Sequence, residues 1–220
     1  MANRRAVLWD LDGTLADSRE FHWRSWCDAL APFGLTITEE QFTQSFGKRN
    51  DEILPGWFGD RSTPALVREV ADAKESLYRQ FVAAEGLEPL PGAAAWVKRL
   101  HAEGWAQAIA SSAPKANVDV MARALGLLPY MTALVGAEDV RQGKPAPDVF
   151  LTAAAAVGVS PDHCIVVEDA AVGIEAAHRA GMPCIGVGGI GTDAATVRIA
   201  SLDLLPPDVF DQLILRRAKL

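Results

Sequence analysis

Ala6-Val7-Leu8-Trp9-Asp10-Leu11-Asp12-Gly13-Thr14-Leu15 is the stretch on which the reading of this 220-residue chain turns. Four consecutive apolar residues read as a short buried strand, and Asp-Leu-Asp-Gly-Thr as the polar loop into which it opens. Two carboxylates two positions apart lie close in space, where their repulsion raises a pKa unless a cation sits between them. Such a pair suits a metal-assisted reaction with one nucleophile and one proton shuttle. Taken alone, the same residues also make an ordinary turn, since Asp, Gly and Thr all favour turns.

Outward from this loop the texture of the sequence changes twice. From Ala16 to Gly86 apolar residues recur three and four apart, as in Phe21, Trp26 and Leu30 or Leu66, Val67, Val70, Leu77 and Phe81, which predicts a small helical unit. Pro32-Phe-Gly34, Pro55-Gly56 and Gly59-Asp60 divide it into four helices. After Pro91-Gly92 helices and strands alternate: helix 93–102, strand 105–110, helix 115–124, strand 133–135, helix 148–156, strand 164–167, helix 171–180, strand 184–187 and a mixed tail. Short apolar strands alternating with helices imply right-handed crossovers and a parallel sheet covered on both faces. The fold class expected is therefore α/β: a Rossmann-like parallel-sheet core, residues 1–15 and 87–220, with a small α-helical domain, residues 16–86, inserted after the first strand.

Ligands of such sheets bind outside the carboxyl ends of the strands, and three further polar signals fall there. Ser111-Ser112 follows the second strand, where a hydroxyl and backbone N–H groups entering a helix make an anion site; a simple helix cap uses the same residues. Lys144 stands in Gly143-Lys-Pro145-Ala-Pro147, where the prolines restrict the loop that carries the ammonium; the other reading is a solvated lysine. Glu168-Asp169 ends the apolar run Cys164–Val167, and adjacent acids there either join the first pair around a cation or favour a helix N-terminus. Together, carboxylates for Mg²⁺, a hydroxyl and a lysine for phosphate oxygens, and a carboxylate nucleophile define phosphoryl transfer.

Composition removes other classes. With 28 acidic against 21 basic side chains, a net charge of −7 and no long Lys/Arg run, nothing marks a nucleic-acid or anionic-membrane surface. The longest apolar stretch, Leu151 to Val159, falls far short of the ~20 residues of a bilayer span. Met1-Ala-Asn-Arg-Arg5 is followed by no signal-peptide core, so a cytoplasmic protein is expected. Cys27, Cys164 and Cys184 are widely spaced and read as reduced core cysteines rather than a disulfide framework or zinc site. Gly186-Val-Gly-Gly-Ile-Gly191 spells a dinucleotide fingerprint, but 29 residues after it do not supply the strands such a unit needs. The glycines read as a loop leaving the last core strand.

In its four ordered motifs the sequence resembles the haloacid dehalogenase-like (HAD) phosphotransferases, in the branch with a helical cap inserted after the first strand. The resemblance implies that Asp10 attacks a phosphoryl group, that Asp12 protonates the leaving oxygen, and that Ser111, with Ser112, and Lys144 hold phosphoryl oxygens. It implies Mg²⁺ at Asp10, at Asp12 through its backbone carbonyl, at Asp169 and with Glu168 in support. The cap resembles the β-phosphoglucomutase-like branch: His22 matches a cap histidine facing the acid/base aspartate, Gly47-Lys-Arg49-Asn-Asp51 an arginine loop for a distal phosphate, and Lys74 a cap lysine near the sugar. A helix histidine and solvated charges are the plain alternatives at these three positions. Where that branch offers a serine and an asparagine after Ser111, this chain has Ala113, leaving Lys115 or Asn117 for the anion. The expectation is a monomeric Mg²⁺-dependent phosphatase of a small phosphorylated sugar or related metabolite, with the sugar-phosphate mutase as alternative.

Overall fold

The computed structural model describes residues 4–45, 48–188 and 191–217. Strands β1 (Ala6–Trp9), β2 (Ala106–Ala110), β3 (Ala133–Val135), β4 (Cys164–Glu168), β5 (Cys184–Val187) and β6 (Val197–Ile199) form one sheet in the order β3-β2-β1-β4-β5-β6. Every neighbouring pair is parallel. Strand β1 lies at the centre, where the order reverses, so the Asp10 loop opens at the switch point.

Period-two alternation along β1 feeds two separate cores. Val7 and Trp9 face a layer built with α5 (Ala93–Ala102), α6 (Lys115–Ala124) and α9 (Val209–Arg217), whereas Ala6 and Leu8 face α7 (Asp148–Val157) and α8 (Ala171–Arg179). The polar edge of buried Trp9 is satisfied: its indole N–H donates to Gln107 Oε1 at 2.9 Å, and Gln107 Nε2 donates to the Val97 carbonyl at 2.9 Å. Trp105, expected to begin the second strand, instead precedes it and packs edge-on against Phe210 with the Arg5 guanidinium 4.2 Å over its ring.

Between β1 and α5 lie α1 (Arg19–Leu30), α2 (Glu39–Ser45), α3 (Asn50–Phe58) and α4 (Pro64–Glu85). They enclose their own apolar cluster of Trp26, Leu30, Phe42, Leu54, Phe58 and Val70. Contrary to the expected break at Pro55-Gly56, α3 runs through both residues. Pro55, sixth of the nine helical residues, removes one hydrogen bond from the helix interior, and burial of Leu54 and Phe58 on either side holds the turn. Helix α4 is capped by the Thr63 hydroxyl accepting from Leu66 N–H at 3.2 Å, begins with Pro64, and stops at Gly86, whose φ is +80°. Its residues Val70, Lys74, Tyr78 and Val82, four apart, are buried, so a lysine stands in an otherwise inward-facing stripe.

Three expectations shift. Cys27 is exposed, while Cys164 and Cys184 are buried and all three are free thiols. The mixed tail contains strand β6 and helix α9. In the glycine run, Gly186 belongs to β5 and Gly188 and Gly191 adopt φ of +84°; Gly189 and Ile190 lie outside the described residues, as does Gly47 of the arginine loop. Among the described residues no helix is long and apolar enough to cross a membrane.

Candidate active site

The strand ends β1, β2 and β4 and the helices α1, α3 and α4 together line a cavity of about 560 Å³. Asp10, Asp12, Ser111, Ser112, Glu168 and Asp169 form its floor, and His22, Arg49 and Lys74 reach it from the helical side. Asp10 follows β1 directly and its N–H donates to the Val167 carbonyl at 2.9 Å, which keeps the side chain at the sheet end.

Lys144 does not itself line the cavity but is the cation bonded to two of its floor carboxylates. It is 3% exposed, and its ammonium donates to Asp10 Oδ1 and, at 2.7 Å, to Glu168 Oε2. Burial alone lowers a lysine pKa, but the two carboxylates outweigh it and hold the Lys144 ammonium above the ordinary lysine range. Oxygens of Asp10, Glu168 and Asp169 all lie within 4.8 Å of one another. Burial pushes these acids upward: Asp10 above its usual value against the pull of Lys144, and, with repulsion from Asp10 added, Glu168 well above and Asp169 to about 7. Lys144 balances one negative charge of the three, so this oxygen set fits a divalent cation, which favours the ionised carboxylates and removes the repulsion. Gly13 keeps the position open: a Cβ there would sit 2.1 Å from Asp169 Oδ2.

Asp12 belongs to a different network. Its Oδ1 accepts from the Ser18 hydroxyl and faces His22 Nε2 at 3.0 Å, and its side chain lies outside the three-carboxylate cluster. Burial raises its pKa, but His22 and the Ser18 hydrogen bond prevail and hold it below the usual carboxylate range. His22 stacks on Tyr78 with centroids 4.3 Å apart, and its Nδ1 lies 2.8 Å from Lys74 Nζ. An ammonium has no acceptor capacity, so Nδ1 accepts and Nε2 carries the hydrogen directed at Asp12.

The remaining expected residues part company. Ser111 is buried, with its Oγ accepting from Ala113 N–H at 3.0 Å; helix α6 is entered from Pro114 without a side-chain cap. Arg49 lines the cavity, yet its guanidinium donates to the Ala137 carbonyl at 3.0 Å and to Asp51 at 3.1 Å. Lys115 is not brought to the cavity: its ammonium binds the Leu134 carbonyl and, at 2.7 Å, Asp139. Asn117 is buried against Glu75 and Arg79. Glu75, a cavity residue that the motifs do not mark, stands beside Lys74 on the inward stripe of α4. A charged pair interrupting an apolar helical stripe is the signal that points to it.

A family model described as haloacid dehalogenase-like hydrolase matches residues 4–181. The chain belongs to this family of hydrolases. It is 33% identical over 185 residues to fructose-1-phosphate phosphatase YqaB of Escherichia coli, covering 82% of this chain and 95% of that one. It is 32% identical over 190 residues to β-phosphoglucomutase of Bacillus subtilis, covering 84% and 83%. A solved β-phosphoglucomutase from Clostridium difficile superposes with a TM-score of 0.88 at 21% identity, covering 99% of this chain and all (100%) of the other, a likeness of fold. Within the family the chain falls in the β-phosphoglucomutase-like branch. The SUPPRESSOR OF QUENCHING 1 protein of Arabidopsis thaliana is 35% identical over 83% of this chain, which spans 18% of that longer protein.

Proposed function

We propose that this chain is a Mg²⁺-dependent phosphatase that moves the phosphoryl group of a small phosphorylated sugar onto Asp10 and then to water. The observation that carries it is the Lys144 ammonium bridging Asp10 and Glu168, two carboxylates of the cavity floor that also holds Asp12. Residues 16–86 act in this reading as the cap over a core of 1–15 and 87–220.

An Asp10 oxygen attacks phosphorus as the ester oxygen departs with a proton from Asp12, and a carboxyl phosphate forms. A water then gives its proton to Asp12 and its oxygen to phosphorus, and Asp10 is released as carboxylate. Asp12 is held ionised in the resting site, which suits the second half. The negative charge of an arriving phosphate ester raises its pKa for the first half. Asp10, Glu168, Asp169 and the Asp12 backbone carbonyl would hold Mg²⁺, which supplies positive charge to a loose phosphoryl-transfer transition state. Ser111, Ser112 and Lys144 hold and neutralise the phosphoryl oxygens.

Three observations favour water over a second sugar phosphate as acceptor. Ala113 carries no hydroxyl, Lys115 is paired with Asp139, and Arg49 is engaged by Ala137 and Asp51, so a distal phosphate finds few donors. The named activities of the phosphatase and mutase relatives fit the same floor chemistry. Free phosphate release from a panel of ketose and aldose phosphates with Mg²⁺ tests the reading. Release from at least one sugar phosphate supports it, and no release from any contradicts it.

A further inference from the structure

Glu75 has no part in the chemistry just described, yet it is one of the most heavily bonded carboxylates in the molecule. It is 5% exposed, and its Oε1 accepts from Lys74 Nζ at 2.8 Å and from Asn50 Nδ2 at 2.6 Å. Its Oε2 accepts from Asn117 Nδ2, across the boundary between cap helix α4 and core helix α6. Asn117 is fully buried, and its Oδ1 accepts from Arg79 Nη1 at 2.8 Å. The amide orientation is dictated by its neighbours: the face toward a carboxylate must be the NH₂, and the face toward a guanidinium must be the oxygen. Glu75 and Arg79, four apart on one helix face, therefore grip a single core side chain from both ends.

The same carboxylate restrains the residue next to it. Lys74 is 2% exposed, with its ammonium 5.2 and 5.3 Å from the rings of Trp26 and Tyr78. Its remaining polar neighbours are Glu75 and the Nδ1 of His22, whose other nitrogen faces Asp12. A buried ammonium deprived of its carboxylate loses the partner that fixes its direction. The contacts thus run without a gap from core Asn117 through Glu75, Lys74 and His22 to Asp12.

We propose that Glu75 is a positioning residue that docks α4 on α6 through Asn117 and aims Lys74 at His22, so that one carboxylate both seats the cap and orients the partner of Asp12. The second half rests on the phosphatase reading above; the docking half does not.

The chemistry supplies a donor–acceptor exchange as its test. Glu75→Gln turns an NH₂ toward the NH₂ of Asn117, and Asn117→Asp sets carboxylate against carboxylate. In Glu75→Gln/Asn117→Asp the introduced amide donates to the introduced carboxylate, which also accepts from Arg79. Two readouts on the full-length chain are hydrogen–deuterium exchange of residues 64–85 and 115–124, and kcat and KM for phosphate release from fructose 1-phosphate with Mg²⁺. Each single variant is expected to speed exchange in both helices and lower kcat by about tenfold or more, with KM changed less. The double variant is expected to recover the slow exchange. Equal loss in the double, unchanged exchange in the singles, or a loss confined to KM overturns the proposal.

Where Glu75→Gln does not fold, half-buried Arg79→Met removes the other grip on Asn117: faster exchange in both helices supports docking, and unchanged exchange overturns it. If the parent protein releases no phosphate from any ester, the functional reading fails while exchange still decides the docking. If the parent is active and the exchange pattern is not restored, the docking fails alone.

Discussion

A carboxylate buried beside another carboxylate is a poor nucleophile until its charge is stabilised, and Lys144 is the residue placed to do that. It is salt-bridged to Asp10 and Glu168 at once, so its removal strands two buried acids and, in the proposed reaction, also strips the phosphoryl oxygens of a donor. Lys144→Ala is expected to cost ~2.7–4 kcal/mol of transition-state stabilisation, by analogy with loss of one oxyanion donor. A fall in kcat/KM below tenfold would place Lys144 outside the chemistry. Asp10→Asn should abolish both turnover and transfer of label from a phosphate donor to the protein. Asp10 was legible because it stands one step beyond an apolar strand, and Lys144 because prolines restrict its short loop. Lys115 was not, because a lysine's direction is set by what its long stem meets, and Asp139 is 24 residues away. Glu75 was hidden for a related reason: no local motif shows that its two outer partners, Asn50 and Asn117, come from different helices.

At the scale of elements, the site depends on two turns that leave room for its acids. Gly13 has φ +83°, and Gly173, in the first turn of α8, has the Glu168 carboxylate where a Cβ would stand, 2.1 Å away. Gly173→Ala needs no unusual backbone, so it should leave the fold intact while displacing Glu168 from Lys144. We expect ~10–100-fold weaker Mn²⁺ or Mg²⁺ binding by titration calorimetry, the range typical of lost support around a metal site. Unchanged affinity would show that Glu168 does not orient the cluster. The alternation of strands and helices from residue 93 to 187 follows the expected pattern within a residue or two, since short apolar runs bounded by glycine and proline admit few alternatives. The tail was less readable. Strand β6 is three residues with Arg198 at its centre, an edge strand whose pairing with β5 rather than its composition makes it a strand.

For the whole molecule, the crowded acids tie stability to pH and to cation. Asp169, raised from 3.8 to about 7 by burial and by Asp10, is held more favourably protonated in the folded chain than in the unfolded one. Its contribution is therefore complete below about 4 and is lost as pH rises through about 7; Asp10 and Glu168 act in the same direction. Asp12 and Glu75, lowered below 3.8 and 4.5, act oppositely and lose their contribution as pH falls through their folded values. Without divalent cation the melting temperature should thus decline between about pH 5 and 8. Added Mg²⁺, which binds the ionised acids, should raise it more at pH 8 than at pH 5. Equal increments at both pH values in a thermal-shift series would contradict the assignment of the cluster as a cation site. The net charge of −7 offers polyanions no general attraction, and part of it is concentrated in the acids that hold the cation in the proposed reaction.

The central claim, that the phosphoryl group on Asp10 passes to water, is tested most directly by following two products at once. The chain is incubated with Mg²⁺ and either fructose 1-phosphate or β-glucose 1-phosphate, the latter also with a catalytic amount of glucose 1,6-bisphosphate. Free phosphate and isomerised sugar phosphate are measured over the same time course. The account predicts phosphate released in step with free sugar and no accumulation of glucose 6-phosphate. Glucose 6-phosphate formed without free phosphate would contradict it and make a sugar hydroxyl the acceptor.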